Sequence, residues 1–162
     1  MRREKFSLRS GIPAKGFTLL ELIVVIALLG IMLALAAPSF LDWRNNLNYR
    51  QTARQITSML REAKSRTITE NVSHSVVVEP SNRSYQLLRG ATVIQGQITP
   101  NPVLIRGGVS GTSTATITVV FYSNGTALLT PSDGYIYVLE GTSQKFLVTV
   151  TPTGRISMQK KS

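Results

Sequence analysis

One carboxylate, Glu21, stands directly before an apolar run, residues 22–37, that contains no polar side chain. A carboxyl group near the centre of a lipid bilayer is unfavourable by about 2–3 kcal/mol or more. Such a group is usually retained for a function, and a partner lies nearby. The chemistry that this placement offers is the pairing of a lone carboxylate with a cation.

The rest of the chain offers few residues for catalysis. It contains no cysteine, which excludes a disulfide scaffold, a thiol nucleophile, a cysteine metal site and a lipoprotein anchor. The single histidine, His74, adjoins a run of valines and is predicted to be a surface or edge residue rather than a base. Asp42 and Asp133 are the only aspartates, so no metal cluster or catalytic triad is expected. We therefore predict a protein that is not an enzyme and needs no cofactor.

The positive charge of the chain is concentrated at its beginning. The formal net charge is +10, but residues 17–162 carry 13 basic and 7 acidic side chains, a net charge of +6. Loss of the first sixteen residues would leave a moderately basic protein. The charge of the whole chain is therefore a weak argument for nucleic-acid binding.

The basic segment and the apolar run have three interpretations. The first is a secretory signal peptide cleaved after the apolar run, for which residues 34–36, Ala-Leu-Ala, offer a site. The second is a simple transmembrane anchor, and the third is a leader cleaved before the apolar run. The third is favoured because Glu21 lies at the start of the apolar region. It is also favoured because the helical pattern continues beyond Pro38, which a disposable signal does not require.

Residues 16–27, Gly-Phe-Thr-Leu-Leu-Glu-Leu-Ile-Val-Val-Ile-Ala, resemble the type III signal of type IV pilins and type II secretion pseudopilins. In that family a membrane-embedded prepilin peptidase cuts after the glycine and methylates the new N-terminal residue. The resemblance implies cleavage after Gly16, methylation of Phe17 and an assembly role for Glu21. Pro38 falls where many members carry a helix-kinking proline. Other pilin or pseudopilin subunits and an inner-membrane assembly platform are the partners that it implies.

Cleavage before Phe17 would create a cationic amine at the end of an apolar helix. Pairing that amine with Glu21 of a neighbouring subunit satisfies both charges in a medium where Coulomb attraction is strong, and it fixes an axial stagger between subunits. Residues 17–37 would span about 31 Å as a helix, enough for the hydrocarbon core. The preceding excess of Lys and Arg places the N-terminus in the cytoplasm.

The elements that must position this segment follow from the periodicity of the chain. Apolar residues recur every three or four positions from Tyr49 to Thr67, which predicts a helix that continues to about Glu70. Pro38 is expected to kink this helix rather than end it. Strands are predicted at residues 74–78, 84–88, 92–99, 103–106, 116–122, 126–129, 135–139 and 145–150. The sequence thus predicts an α+β protein with a pilin-like fold, in which antiparallel sheets wrap around the upper part of one long helix.

Three short segments resemble the H-type pseudopilins and the FimT-like minor pilins. They are the helix end at residues 60–66, the F-x-x-x-G hairpin at residues 119–125, and the closing strand with its Gly-Arg pair at residues 148–156. FimT-like pilins of competent bacteria capture DNA through a basic Gly-Arg-x-Arg motif.

The end of the chain matches that DNA-capture motif only in part. Arg155 follows Gly154, but Ser157 stands where the motif has its second arginine. Lys160 and Lys161 add charge, yet no aromatic residue accompanies them to stack on bases. A frayed basic tail is therefore the favoured interpretation, and DNA binding through Arg155, Lys160 and Lys161 is the alternative.

The sequence predicts four segments: a cleaved leader (1–16), a transmembrane assembly helix (17–37), an amphipathic upper helix (38–70) and an antiparallel β domain (71–162). The predicted function is that of a minor pseudopilin that assembles into a type II secretion pseudopilus and supports protein export across the outer membrane. The alternative is a minor type IV pilin in pilus assembly or DNA uptake, and a protein-binding module on a plain anchor is the third. The expected location is the bacterial inner membrane, crossed once, with a periplasmic C-terminal domain and assembly into a filament.

Overall fold

A single helix, α1 (Leu19–Glu70), forms the first part of the fold. The computed structural model describes residues 16–161, apart from the side chains of residues 36–39, 41 and 42. The prediction that Pro38 does not end the helix is confirmed, because helical backbone continues through it. The leader residues 1–15 lie outside the described residues.

The chain divides into two units, Met1–Phe40 and Leu41–Ser162. In the described part of the first unit, every large hydrophobic side chain from Phe17 to Leu35 is at least 41% exposed. Within residues 16–161, no helix combines the length and the hydropathy that crossing a membrane requires. The predicted membrane span at residues 17–37 is therefore not confirmed.

The second unit contains nine strands in two antiparallel sheets. The strands are β1 (His74–Glu79), β2 (Ser84–Arg89), β3 (Thr92–Ile98), β4 (Val103–Gly107), β5 (Ile117–Phe121), β6 (Ala127–Thr130), β7 (Tyr135–Glu140), β8 (Ser143–Val150) and β9 (Ile156–Lys160). The first sheet has the order β3-β2-β1-β5-β6, and the second has the order β4-β7-β8-β9. The prediction of an α+β fold with antiparallel sheets packed on a long helix is confirmed.

The core of the second unit joins the upper part of α1 to both sheets. On α1 it includes Tyr49, Ala53, Ile56, Leu60 and Ala63, all nearly inaccessible to solvent. Val76, Phe121 and Val148 contribute from β1, β5 and β8. The predicted helical stripe is thus the packed face, and removal of a side chain such as Leu60 would cost about 2–5 kcal/mol.

The end of the chain is a strand, which corrects the expectation of a frayed basic tail. Strand β9 pairs antiparallel with β8 from Val150 opposite Ile156 to Phe146 opposite Lys160. The physical reason is alternation: Ile156 and Met158 have the same parity and pack against the core. The surrounding polar and basic residues conceal this short pattern in the sequence.

The expectation that His74 is a surface or edge residue is wrong, because its side chain is fully buried. His74 shares the inward parity of Val76 and Val78, and β1 lies in the middle of its sheet, between β2 and β5. Its backbone N–H donates to Thr67 Oγ1 at 3.0 Å, and its Nδ1 lies 2.9 Å from the carbonyl oxygen of Val72. His74 therefore connects the start of β1 to the last turn of α1.

Candidate functional site

The beginning of α1 is defined by a hydrogen bond from the backbone to Thr18. The N–H of Glu21 donates to Thr18 Oγ1 at 3.1 Å, and the N–H of Leu22 donates to the Thr18 carbonyl at 3.1 Å. Thr18 is thus the N-cap of the helix, an arrangement whose loss typically costs about 1 kcal/mol. Thr18 is not among the residues predicted from the sequence. Its three-residue spacing from Glu21 is nevertheless the pattern of a helix N-cap.

Because the cap begins the helix at Leu19, Gly16 and Phe17 lie outside it. Both residues are exposed, and 79% of Phe17 is accessible. A Cβ added at Gly16 would meet no atom within 4 Å. The described residues would therefore accommodate a side chain at this position. A requirement for glycine would have to come from a protein that binds this segment.

Glu21 lies in the first turn of α1 with an exposed side chain. The positive end of the helix dipole favours a carboxylate there, by about 0.3–1 kcal/mol in water. Within residues 16–161, the Glu21 carboxylate has no hydrogen-bonding or ion-pairing partner. The structure thus leaves this group available for a cation from another molecule.

The apolar residues that follow Glu21 form an exposed helical surface. Leu22, Ile26, Leu29 and Leu33 are each more than half exposed. Exposed apolar surfaces of this extent mark sites of protein or membrane contact. Pro38 lies in the same helix at its predicted position, and its kinking role stays a prediction.

The three basic residues predicted to form a DNA-binding site do not cluster. Arg155 is exposed just before β9, Lys160 is the last residue of that strand, and the N–H of Lys161 donates to the Lys145 carbonyl at 2.9 Å. The rise of a strand separates Arg155 from Lys160 by about 16 Å. The structure therefore brings only Lys160 and Lys161 together.

The three segments that resemble the minor-pilin group, residues 60–66, 119–125 and 148–156, come together in the structure at Lys64, Gly125 and Gly154. Lys64 Nζ donates to the Gly154 carbonyl at 2.9 Å. A Cβ added at Gly154 would lie within 3.0 Å of the Gly125 carbonyl oxygen, closer than side chains tolerate. We call Lys64, Gly125 and Gly154 the glycine junction. It holds the β5–β6 turn, the β8–β9 turn and α1 together.

Two buried tyrosines of the core, Tyr49 and Tyr85, have raised pKa values. Burial, together with the nearby Glu140 carboxylate, raises the pKa of Tyr49 to about 12. The Lys145 ammonium lies 2.9 Å from Glu140 Oε2, and this hydrogen bond is the main reason that the pKa of Glu140 is lowered. Burial also raises the pKa of Tyr85 to about 12, and its hydroxyl donates to Gln55 Oε1 at 2.7 Å.

In the part of the chain that the structure describes, no group of three or more His, Asp or Glu side chains is placed to hold a metal ion. The features that stand out are instead the exposed Gly16–Phe17 peptide, the lone Glu21 carboxylate and the exposed apolar helix.

Comparison with known proteins agrees with these features. Residues 13–37 match the family model described as the prokaryotic N-terminal methylation motif. The fold is similar to that of the type IV minor pilin FimU of Pseudomonas aeruginosa, with 14% identity, a TM-score of 0.54, and coverage of 72% of this chain and 92% of that one. It is also similar to the minor pseudopilin EpsH from the type 2 secretion system of Vibrio cholerae, with 12% identity, a TM-score of 0.50, and coverage of 70% and 97%. The sequence has no significant match among curated proteins.

The methylation motif and the shared fold together support the type IV pilin and pseudopilin superfamily. Both solved structures are of minor pilin or pseudopilin proteins, in agreement with the prediction that this chain is not an enzyme. The narrower resemblance to FimT-like pilins stays a prediction.

Proposed function

We propose that this chain is a minor subunit of a filament of the type IV pilin class, anchored in the inner membrane before assembly. The observation that carries the proposal is the exposed Gly16–Phe17 peptide, which lies outside the helix and directly before an apolar helix with one carboxylate. A prepilin peptidase would cleave this bond and methylate Phe17.

The assembly step follows from the charges that cleavage leaves. The new amine of Phe17 and the Glu21 carboxylate are both costly inside a membrane, and their pairing between neighbouring subunits removes both penalties. At a separation of 4 Å and an effective dielectric constant of 20, such a pair gains about 4 kcal/mol. Insertion of residues 17–37 into the membrane, and a loosening of the helix at Pro38, are parts of the same proposal.

The processing step is tested by mass spectrometry of the protein from cells with and without a prepilin peptidase. We expect the mature chain to begin at Phe17 and to carry one added methyl group. Gly16→Val should prevent cleavage, whereas Gly30→Ala should not, although neither glycine has an atom within 4 Å of an added Cβ. Cleavage after residues 34–36 would instead support a secretory signal and would refute the proposal.

The assembly step is tested by replacing Glu21 with the isosteric glutamine. The Glu21→Gln protein should be cleaved and membrane-bound but should fail to enter filaments. The control is Glu79→Gln, which removes one negative charge from a strand of the β domain. Normal incorporation of the Glu21→Gln protein into filaments would refute the pairing of Phe17 with Glu21, and absence of the unaltered protein from filaments would indicate a plain anchor.

For the particular machine, we propose a minor pseudopilin of a type II secretion system that supports protein export across the outer membrane. A minor type IV pilin is the second candidate, because the fold is similar to a minor pilin as well as to a minor pseudopilin. Deletion in the native host distinguishes them: loss of exported proteins from the medium supports the first, and loss of surface pili or of DNA uptake supports the second.

DNA binding at Arg155, Lys160 and Lys161 belongs to the second candidate and is not favoured, because Arg155 is separated from the two lysines. An electrophoretic shift assay with residues 39–162 and the Arg155→Ala variant tests it. Tight, salt-sensitive binding that depends on Arg155 would reverse this preference.

A further inference from the structure

A line of side chains along α1 follows the alternating three- and four-residue spacing of a helix–helix seam. It consists of Leu47, Arg50, Arg54, Thr57 and Arg61, and we call it the arginine seam. Leu47 and the three arginines are exposed, and Thr57 is buried between them. Arg50, Arg54 and Arg61 therefore lie along one exposed face of α1, whereas Thr57 is covered by the protein's own chain.

The arginine seam borders open cavities beside the edge strand β9. A cavity of about 570 Å³ is lined by Leu47, Arg50 and Lys160, and another, of about 390 Å³, is lined by Arg54, Arg61 and Met158. Among the described residues, no acidic side chain lines either cavity. The surface is therefore a cationic groove with apolar side chains at its base.

The three arginines of the seam differ from the other charged residues near the end of α1. Arg66 is paired with Glu62 and Glu70, and Arg89 with Glu70. Within residues 16–161, by contrast, Arg50, Arg54 and Arg61 have no hydrogen-bonding or ion-pairing partner through their side chains.

A second copy of this chain that packs seam against seam cannot supply the missing negative charge, because it would present the same arginines. Of the six carboxylates that the structure describes, four are already engaged: Glu62 and Glu70 with arginines, Glu140 with Lys145, and Glu79 with Asn82. Like charges that face each other along a helix are destabilising. A different molecule with an acidic surface is therefore a better complement to the seam than a second copy in that arrangement.

We propose that the arginine seam docks a helix with an acidic stripe from a different subunit of the filament. This inference rests on the proposed function and names the chemistry of one partner. A helix is favoured because Arg50, Arg54 and Arg61 follow one face of α1, and carboxylates at the same spacing on another helix would match them. Binding of a nucleic acid is an outcome of the test, since Trp43 and Phe146 line the larger cavity.

The test uses the full chain in detergent and two synthetic helical peptides of roughly 20 residues, long enough for partial helix formation in water. One peptide carries leucine and glutamate at the three- and four-residue spacing, and its twin carries lysine in place of glutamate. The seam variant is Arg50→Glu, Arg54→Glu and Arg61→Glu combined. The matched control, Arg44→Glu, Arg155→Glu and Lys161→Glu combined, changes the net charge equally but leaves the seam intact.

We expect the glutamate peptide to bind the unaltered chain and the control variant. Its affinity for the seam variant should be lower by about tenfold or by a larger factor. The seam variant should instead bind the lysine peptide, which would also show that it is folded. Both interactions should weaken as salt is added.

Equal binding of the glutamate peptide to the seam and control variants, or no binding to the unaltered chain, would overturn the proposal. Tighter binding of single-stranded oligothymidine through the same arginines would replace it with a nucleic-acid surface. Peptide binding requires neither cleavage nor assembly, so these outcomes are independent of whether the chain enters a filament.

Discussion

Gly154 is the position where one added methyl group should disturb the fold most directly. Its φ of +72° lies in the left-handed region, and an added Cβ would lie within 3.0 Å of the Gly125 carbonyl oxygen. A side chain in this conformation costs about 1–2 kcal/mol. The clash with backbone adds about 1–3 kcal/mol, because the turn of Gly125 must move. Gly154→Ala should therefore cost about 3 kcal/mol in total.

Gly141→Ala is the matched control for this substitution. Gly141 has a φ of +56°, but no atom lies within 4 Å of its added Cβ. This change should cost only the conformational strain, about 1–2 kcal/mol. The difference between the two variants isolates the close approach of Gly154 to Gly125, and it should be about 2 kcal/mol.

The free energy of unfolding can be measured with urea on residues 41–162. The main core, from Tyr49 to Val150, lies entirely within this fragment. A difference of about 2 kcal/mol would lower the thermal midpoint of the Gly154→Ala fragment by roughly 8 °C relative to the Gly141→Ala fragment. Equal stability of the two variants would show that the junction opens without cost and would refute the reasoning.

Three further measurements test the same unit. Lys64→Met should lower the free energy of unfolding of residues 41–162 by about 1 kcal/mol, because the Lys64 hydrogen bond to the Gly154 carbonyl is lost. Urea unfolding measures this change. Lys145→Met should cost about 0.5 kcal/mol at neutral pH, since the pKa of Glu140 is lowered chiefly by Lys145. That cost should disappear in urea titrations run below the folded-state pKa of Glu140, where the carboxylate is protonated. Because the pKa of Tyr49 is raised to about 12, stability should fall between about pH 10 and 12, measured by urea unfolding at each pH.

The elements of the fold could be predicted because their periodicity is strong. The three- and four-residue spacing from Tyr49 to Leu60 identified the packed face of α1, and all of these positions are buried. Alternation likewise identified β5, whose inward residues form part of the core, and the turn at residues 80–82 identified β1 and β2 as a hairpin. Hydrophobic burial decides both patterns, so the sequence alone carries the information.

The contacts between distant segments could not be predicted in the same way. The meeting of Gly125, Gly154 and Lys64 depends on the packing of two sheets against one helix, which no local pattern contains. For His74, the parity that it shares with Val76 and Val78 was available, but the polarity of imidazole outweighed it. The Thr18 cap was likewise available, at its three-residue spacing from Glu21.

The two proposed surfaces of α1 would act in opposite directions during assembly. The pairing of Phe17 with Glu21 is available to every subunit that carries this motif, so it would add copies of any kind. The arginine seam would discriminate, because a second copy packed seam against seam places arginine against arginine, whereas an acidic helix satisfies all three charges. A subunit with both features would enter a filament next to a different subunit and would not extend a chain of its own copies. Low stoichiometry in the filament would then follow from the charges of Arg50, Arg54 and Arg61, and not only from the amount of protein made.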